Sequence, residues 1–165
     1  HPAARYLLSL EGEAEQSVYW EDKTTNTLCR IRPDFWAPKH RIIADLKTTN
    51  DASLEAFARS ALNWRYHVQD AMYCEGAKAA TGLDHQFYFI VVEDGACVVN
   101  GTPKGVAVYQ LDEISRDAGA LEFRKNLNEY VYCSELNQWP GYPGEVQQLQ
   151  LPSWGLRNIE LEYAN

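Results

Sequence analysis

Apolar and polar positions along the chain follow two different periods. Residues 15–22 (EQSVYWED) and 27–35 (TLCRIRPDF) alternate, which predicts two strands, and the polar stretch KTTN at 23–26 predicts a hairpin turn between them. Pro33 closes the second strand, because proline removes a ladder donor. Residues 36–40, with Pro38, read as a short loop. Residues 41–48 (RIIADLKT) predict a third strand, and its centre, Ile42-Ile43-Ala44, is apolar on both faces, as inside a sheet. After Asn50 the period becomes helical. Asn50 or Asp51 caps a stripe of Leu54, Phe57, Ala58 and Ala61. The pattern continues, with a break near Asn63, through Trp64, Val68, Ala71 and Met72 to about Ala80, and Gly82 stops it. Residues 87–93 (FYFIVVE) form the most apolar run and predict a central strand, with 105–111 (GVAVYQL) as its neighbour. A last helix is predicted over 112–133, and residues 3–10 read as the end of a helix cut off at its start. Prolines and glycines from Pro140 to Gly155 predict that 134–165 wraps the surface without regular structure. The order helix, three strands, broken helix, two strands, helix predicts one α/β domain over residues 1–165 with a mixed sheet.

Composition narrows the classes. At 165 residues the chain suits one domain, and 45% hydrophobic content excludes a disordered one. No apolar run approaches the roughly 18–20 residues of a membrane span. The opening HPAARYLLSL has no leader cleavage pattern and no initiator Met, as expected of a fragment or a processed chain with its N-terminal helical part missing. A net charge of −8 argues against a simple nucleic-acid coat, but not against an enzyme that holds a divalent ion with carboxylates. Cys29, Cys74, Cys97 and Cys133 form no C-x-x-C pair and read as reduced thiols of a cytoplasmic protein.

Three features carry candidate chemistry. Asp45 and Lys47 are two apart on the predicted third strand, so both point to one face at the end of an apolar run. Charges there are costly unless paired or used. Glu21 and Lys23 have the same spacing, but at a polar turn, where a solvated pair is expected. Asp34 ends the preceding strand, and a hairpin-like return brings it toward Asp45. Two converging acids need a cation between them, and Mg²⁺, with Mn²⁺ as its substitute, suits such oxygen ligands. Gln69 and Tyr73 share one helix face, with Asp70 expected toward solvent and His67 expected to be structural. Arg30 and Arg32 share a strand face, where they fit phosphate contacts and surface salt bridges alike.

The strings LCRIRPD at 28–34, IADLKTT at 43–49 and YHVQDAMY at 66–73 resemble the PD-(D/E)XK nuclease superfamily. More narrowly, the chain is similar to the RecE-like (exodeoxyribonuclease VIII-like) nuclease domains of phage and prophage, including WPGY at 139–142 and LPSW at 151–154. The resemblance implies a restriction-endonuclease-like core, a mixed central sheet flanked by helices. It also implies that Asp34, Asp45 and the backbone carbonyl of Leu46 ligate the metal, that Lys47 activates or positions water, and that Gln69 and Tyr73 lie along the DNA. Glu15, opening the first predicted strand, fits a family acid and a surface residue equally well. The implied activity is exonucleolytic hydrolysis of linear duplex DNA from the 5′ end. The implied partners are DNA, further copies of the chain in a ring, and a single-strand annealing protein. An endonuclease or single-strand nuclease on the same fold, and a non-catalytic DNA-binding module, are the competing readings. A small-molecule site would want a glycine-rich phosphate loop, and none follows a strand.

Overall fold

The computed structural model describes residues 1–94 and 105–156. Its elements are α1 (Pro2–Leu8), β1 (Glu13–Ala14), β2 (Val18–Glu21), β3 (Leu28–Ile31), β4 (Phe35–Ala37), β5 (Ile42–Thr49), α2 (Leu54–Asn63), α3 (Tyr66–Thr81), β6 (Gln86–Glu93), β7 (Val106–Tyr109) and α4 (Glu113–Leu136). A five-stranded sheet has the order β1-β4-β5-β6-β7, and β2 and β3 form a separate two-stranded sheet. Only β5 and β6 are parallel among these pairs, joined by the crossover through α2 and α3. This is the expected mixed α/β fold with a central sheet flanked by helices.

The chain divides into two compact units, residues 1–132 and 133–165. In the described part of the second, residues 137–152 have no regular structure and 153–156 make one helical turn. Cys97 lies outside the described residues. Cys29, Cys74 and Cys133 are free thiols. No helix among the described residues is long and apolar enough to cross a membrane.

The core of the first unit follows from the apolar runs. Ile43, Phe87, Phe89 and Val91 are fully buried, and Phe57 of α2 packs on Phe89 with ring centroids 5.6 Å apart. Tyr66 of α3 stacks on Phe89 at 5.9 Å. Gly76 lets α3 lie on the β2–β3 hairpin, because a Cβ there would meet Trp20 at 2.7 Å and Ile31 at 2.9 Å.

Three expectations from the pattern are corrected. Residues 27–35 are not one strand: β3 pairs with β2, while Phe35 already belongs to β4 in the other sheet, and Pro33 between them cannot donate to either ladder. Residues 35–37, read as part of a strand end and a loop, pair with β5, and the return is tightened by a single 3₁₀ turn at Pro38–His40 ending on Arg41 at φ 58°. Asp70 does not face solvent. It is 1% exposed, and sits in line with His67, Cys74 and Ala77 on the buried stripe of α3. Arg116 of α4 lies 3.7 Å from its carboxylate and the Cys74 thiol donates to it at 3.3 Å. Burial nevertheless pushes the Asp70 carboxyl up, and burial beside that carboxylate pushes the Cys74 thiol up to about 12.

The polar turn also holds a residue the pattern did not single out. Asp22 is buried, accepts hydrogen bonds from Thr25 N–H and Oγ1, both at 2.8 Å, and pairs with Arg124 of α4 at 2.5 Å. Burial works against its charge, yet Arg124 and Thr25 bring the carboxyl down to about 2. A depressed carboxyl stabilises the fold above its unfolded pKa near 4, and that contribution is lost as pH falls from about 4 toward 2. Replacing Arg124 by Ala also frees Glu75, its second partner. The expected loss is about 1.5–3 kcal/mol, the scale of hydrogen bonds to a buried charge. Urea unfolding at pH 7 and pH 3 checks both points: the variant's deficit should shrink at the lower pH.

Candidate active site

The site grows from the register of three strands. Across β4 and β5, Phe35 is opposite Ala44 and Trp36 opposite Ile43, so the next step sets Asp34 opposite Asp45. The β1–β4 ladder, with Ala14 opposite Phe35, continues in the same way to Glu15, whose N–H donates to the Asp34 carbonyl at 3.2 Å. Three acids therefore lie at one level across neighbouring strands. Glu15, however, does not open a strand. It sits after β1 at φ 54°, and its carboxylate is turned to Arg32 in an exposed 2.9 Å ion pair.

Asp45 is 3% exposed and faces α3. Its Oδ1 accepts from Gln69 Nε2 at 2.6 Å, and Gln69 Oε1 accepts from Lys47 Nζ at 2.9 Å. Lys47 also forms an ion pair with Asp45 Oδ2. Oδ2 is buried, and Lys47 is the contact it has among the described residues. Burial pushes the Asp45 carboxyl up; Lys47 pulls it down, and the nearby Asp34 charge pushes it up again.

Asp34 Oδ2 accepts the Leu46 N–H at 2.7 Å. In an extended strand the N–H and C=O of one residue point to the same side, so the Leu46 carbonyl is on the Asp34 side as well. Two carboxylates and a backbone carbonyl are hard oxygen donors, and a Mg²⁺-sized ion is bound by one or two carboxylates plus waters. The buried Oδ2 of Asp45, which meets a cation already in Lys47, fits such an ion. No third His, Cys, Asp or Glu joins this pair in a cluster among the described residues, so Glu15 stays outside it.

The structure thus gathers Asp34, Asp45, Leu46, Lys47 and Gln69. Tyr73 reaches the same edge, its hydroxyl donating to the Arg32 carbonyl at 3.4 Å while its ring packs edge-on against Phe87. Arg32 is tied to Glu15, and Arg30 is exposed on the β2–β3 sheet opposite Tyr19. His67 is buried beside Glu122 at 3.4 Å, away from this network. The pattern missed Tyr66, whose ring lies under Lys47 Nζ at 4.4 Å to the centroid. Its signal was its position three residues before Gln69 and seven before Tyr73, on the same helix face.

The family profile described as "PDDEXK-like domain of unknown function (DUF3799)" matches residues 2–152. The chain belongs to this PDDEXK-like family. Such nucleases generally use divalent metal ions, in keeping with the oxygen donors of the site. Among solved structures, a proposed exonuclease from Eubacterium rectale superposes with a TM-score of 0.64 at 16% identity, over 93% of this chain. At that identity the likeness speaks for the fold. The chain spans 62% of that protein's length. The structure of a protein designated SSO0001 covers 88% of this chain and 67% of its own at 14% identity and a TM-score of 0.42, too distant to support an argument. No curated protein matches the chain.

Proposed function

We propose that this PDDEXK-like chain is a metal-dependent deoxyribonuclease, with residues 1–165 as one nuclease domain. The observation that carries the reading is the convergence of Asp34 and Asp45 at the ends of paired strands, with Lys47 on the Asp45 face and Gln69 bonded to both. Asp34, Asp45 and the Leu46 carbonyl would hold the ion. When bound, the ion supplies the acidity that turns water into a nucleophile near neutral pH, and positive charge against the phosphate. Lys47 orients the attacking water and donates to the phosphate oxygen. Gln69 keeps carboxylate and ammonium at a fixed separation, and the Tyr66 face holds the ammonium so that little reorganisation is needed. Tyr73 and Arg30 contact the DNA backbone outside the metal.

The finer reading is exonucleolytic: 5′-to-3′ digestion of linear duplex, leaving a 3′ single strand for an annealing protein in recombination, with the chain assembled as a ring around DNA. Its support is the resemblance of the three sequence strings to RecE-like domains, together with the −8 charge, which requires the basic residues to be concentrated where DNA passes.

End-labelled linear and closed circular duplexes test both levels. Linear DNA is expected to be cut with Mg²⁺ or Mn²⁺, with the 5′ label released first and circles left intact. Ca²⁺ is expected to bind without supporting turnover. Undiminished cleavage in excess EDTA overturns the metal reading, and cut circles overturn the exonuclease reading alone.

A further inference from the structure

Arg32 is a cation at the edge of the candidate site that the network around Asp45 leaves out. It lies two residues before Asp34, in the link between β3 and β4, and its carbonyl accepts the Tyr73 hydroxyl at 3.4 Å. Two residues of extended chain span about 7 Å, which places Arg32 beside the proposed metal ligands and not among them. Its side chain is 59% exposed, and its Nε stands 2.9 Å from Glu15 Oε2. Among the described residues its guanidinium has no other acid partner.

Glu15 is fastened to the same short stretch of chain. Its N–H donates to the Asp34 carbonyl at 3.2 Å, from a left-handed backbone at φ 54°. That conformation is costly at a residue other than glycine and persists where its surroundings enforce it. Here the β1–β4 ladder, with Ala14 opposite Phe35, ends directly before it. The acid that meets Arg32 is thus fixed to the backbone of Asp34 itself. The ion pair is nevertheless weak. Both side chains are more than half exposed, and such pairs contribute little against water and are screened by salt. A backbone phosphate offers a guanidinium a stronger, two-point partner. It competes best when the rest of its strand is already bound, because the added contact is then intramolecular.

We propose that the Glu15–Arg32 pair is an exchangeable latch on the DNA-binding edge. In the free protein Glu15 holds Arg32 as a stand-in for phosphate. When a DNA strand reaches Asp34 and Asp45, Arg32 leaves Glu15 and takes a backbone phosphate next to the one at the metal ligands. Arg32 then positions the strand, and Glu15 lowers the affinity by competing for it. That the incoming anion is DNA rests on the nuclease reading; the exchange itself rests on the pair, its exposure and its place beside Asp34.

The test is a double-mutant cycle on the full chain. A short fluorescein-labelled duplex is titrated by anisotropy at several salt concentrations, in EDTA and again with Ca²⁺. Glu15→Gln is expected to tighten binding about two- to fivefold at low salt, the scale of one exposed ion pair. Arg32→Gln should weaken it about tenfold and reduce the slope of log affinity on log salt by about one, the mark of one lost phosphate contact. In the doubly substituted chain the gain from Glu15→Gln should vanish, because no cation is left to release. A gain that persists on the Arg32→Gln background overturns the latch. So does an equal gain from Glu13→Gln, which removes the same charge from β1, or no binding of duplex in either condition. Loss of Mn²⁺ affinity in Glu15→Gln, read by calorimetry, also overturns it, since Glu15 is then a metal ligand. The two readings fail separately. A cycle as expected without cleavage in Mg²⁺ or Mn²⁺ removes the nuclease and keeps the latch. Mg²⁺-dependent cleavage with additive Glu15 and Arg32 effects on binding does the reverse.

Discussion

Asp45→Asn is expected to lower DNA cleavage by about 10³-fold or more, and to abolish measurable Mg²⁺ or Mn²⁺ binding, in a chain that stays folded. The substitution is nearly isosteric, and the remaining amide oxygen still accepts from Gln69 Nε2. What disappears is the charge, and with it the buried Oδ2 that faces the Lys47 ammonium. In its place the amide presents N–H groups toward the Lys47 ammonium and toward any cation. Because Asp45 is buried and lies near the Asp34 charge, removing its own charge relieves a desolvation cost and a repulsion, while Lys47 loses its counter-ion. These opposing effects keep the change in thermal stability small. Calorimetric titration with Mn²⁺ and single-turnover cleavage check the result. Cleavage within tenfold of wild type removes Asp45 from the reaction.

Lys47→Met is expected to lower cleavage by about 10²–10⁴-fold while metal affinity is retained or rises. Methionine keeps an unbranched side chain of similar length and deletes the ammonium, and with it the cation contact on the Tyr66 ring. The metal donors are untouched, and a positive charge beside them is gone. Gln69 Oε1 loses its donor and Asp45 its ion-pair partner, so a stability loss of about 1–3 kcal/mol is expected in urea unfolding. A variant that binds Mn²⁺ as wild type but cuts poorly separates Lys47 from a metal-holding role. Wild-type rates would assign Lys47 to neutralising Asp45 and nothing more.

Local pattern made part of this site readable. Two-residue periodicity sets Asp45 and Lys47 on one face whatever surrounds them, and 3.6-residue periodicity does the same for Gln69 and Tyr73. The break near Asn63 and the stop at Gly82 were readable too, since both are backbone events: α2 ends at Asn63, and Gly82 sits at φ 74°. Polarity misled at Asp70, because a rule that sends carboxylates to solvent has no knowledge of Arg116 on a helix that arrives 46 positions later. It was silent at Asp22, whose partner Arg124 is 102 residues away. The Glu15 backbone, left-handed and turned to Arg32, likewise depends on where β1 meets β4.

Spacing within single elements is enough for the alternation of strands and helices, the mixed α/β class, and the placing of Asp45 and Lys47 on one face of β5. Long-range packing was needed to split residues 27–35 between two sheets, to set Asp34 opposite Asp45, and to let Gln69 span Asp45 and Lys47 across 24 and 22 residues of chain. The reason is physical. Strand register and helix docking are selected by burial of Phe57, Phe87, Phe89 and their neighbours together, a cooperative free energy that no local period contains.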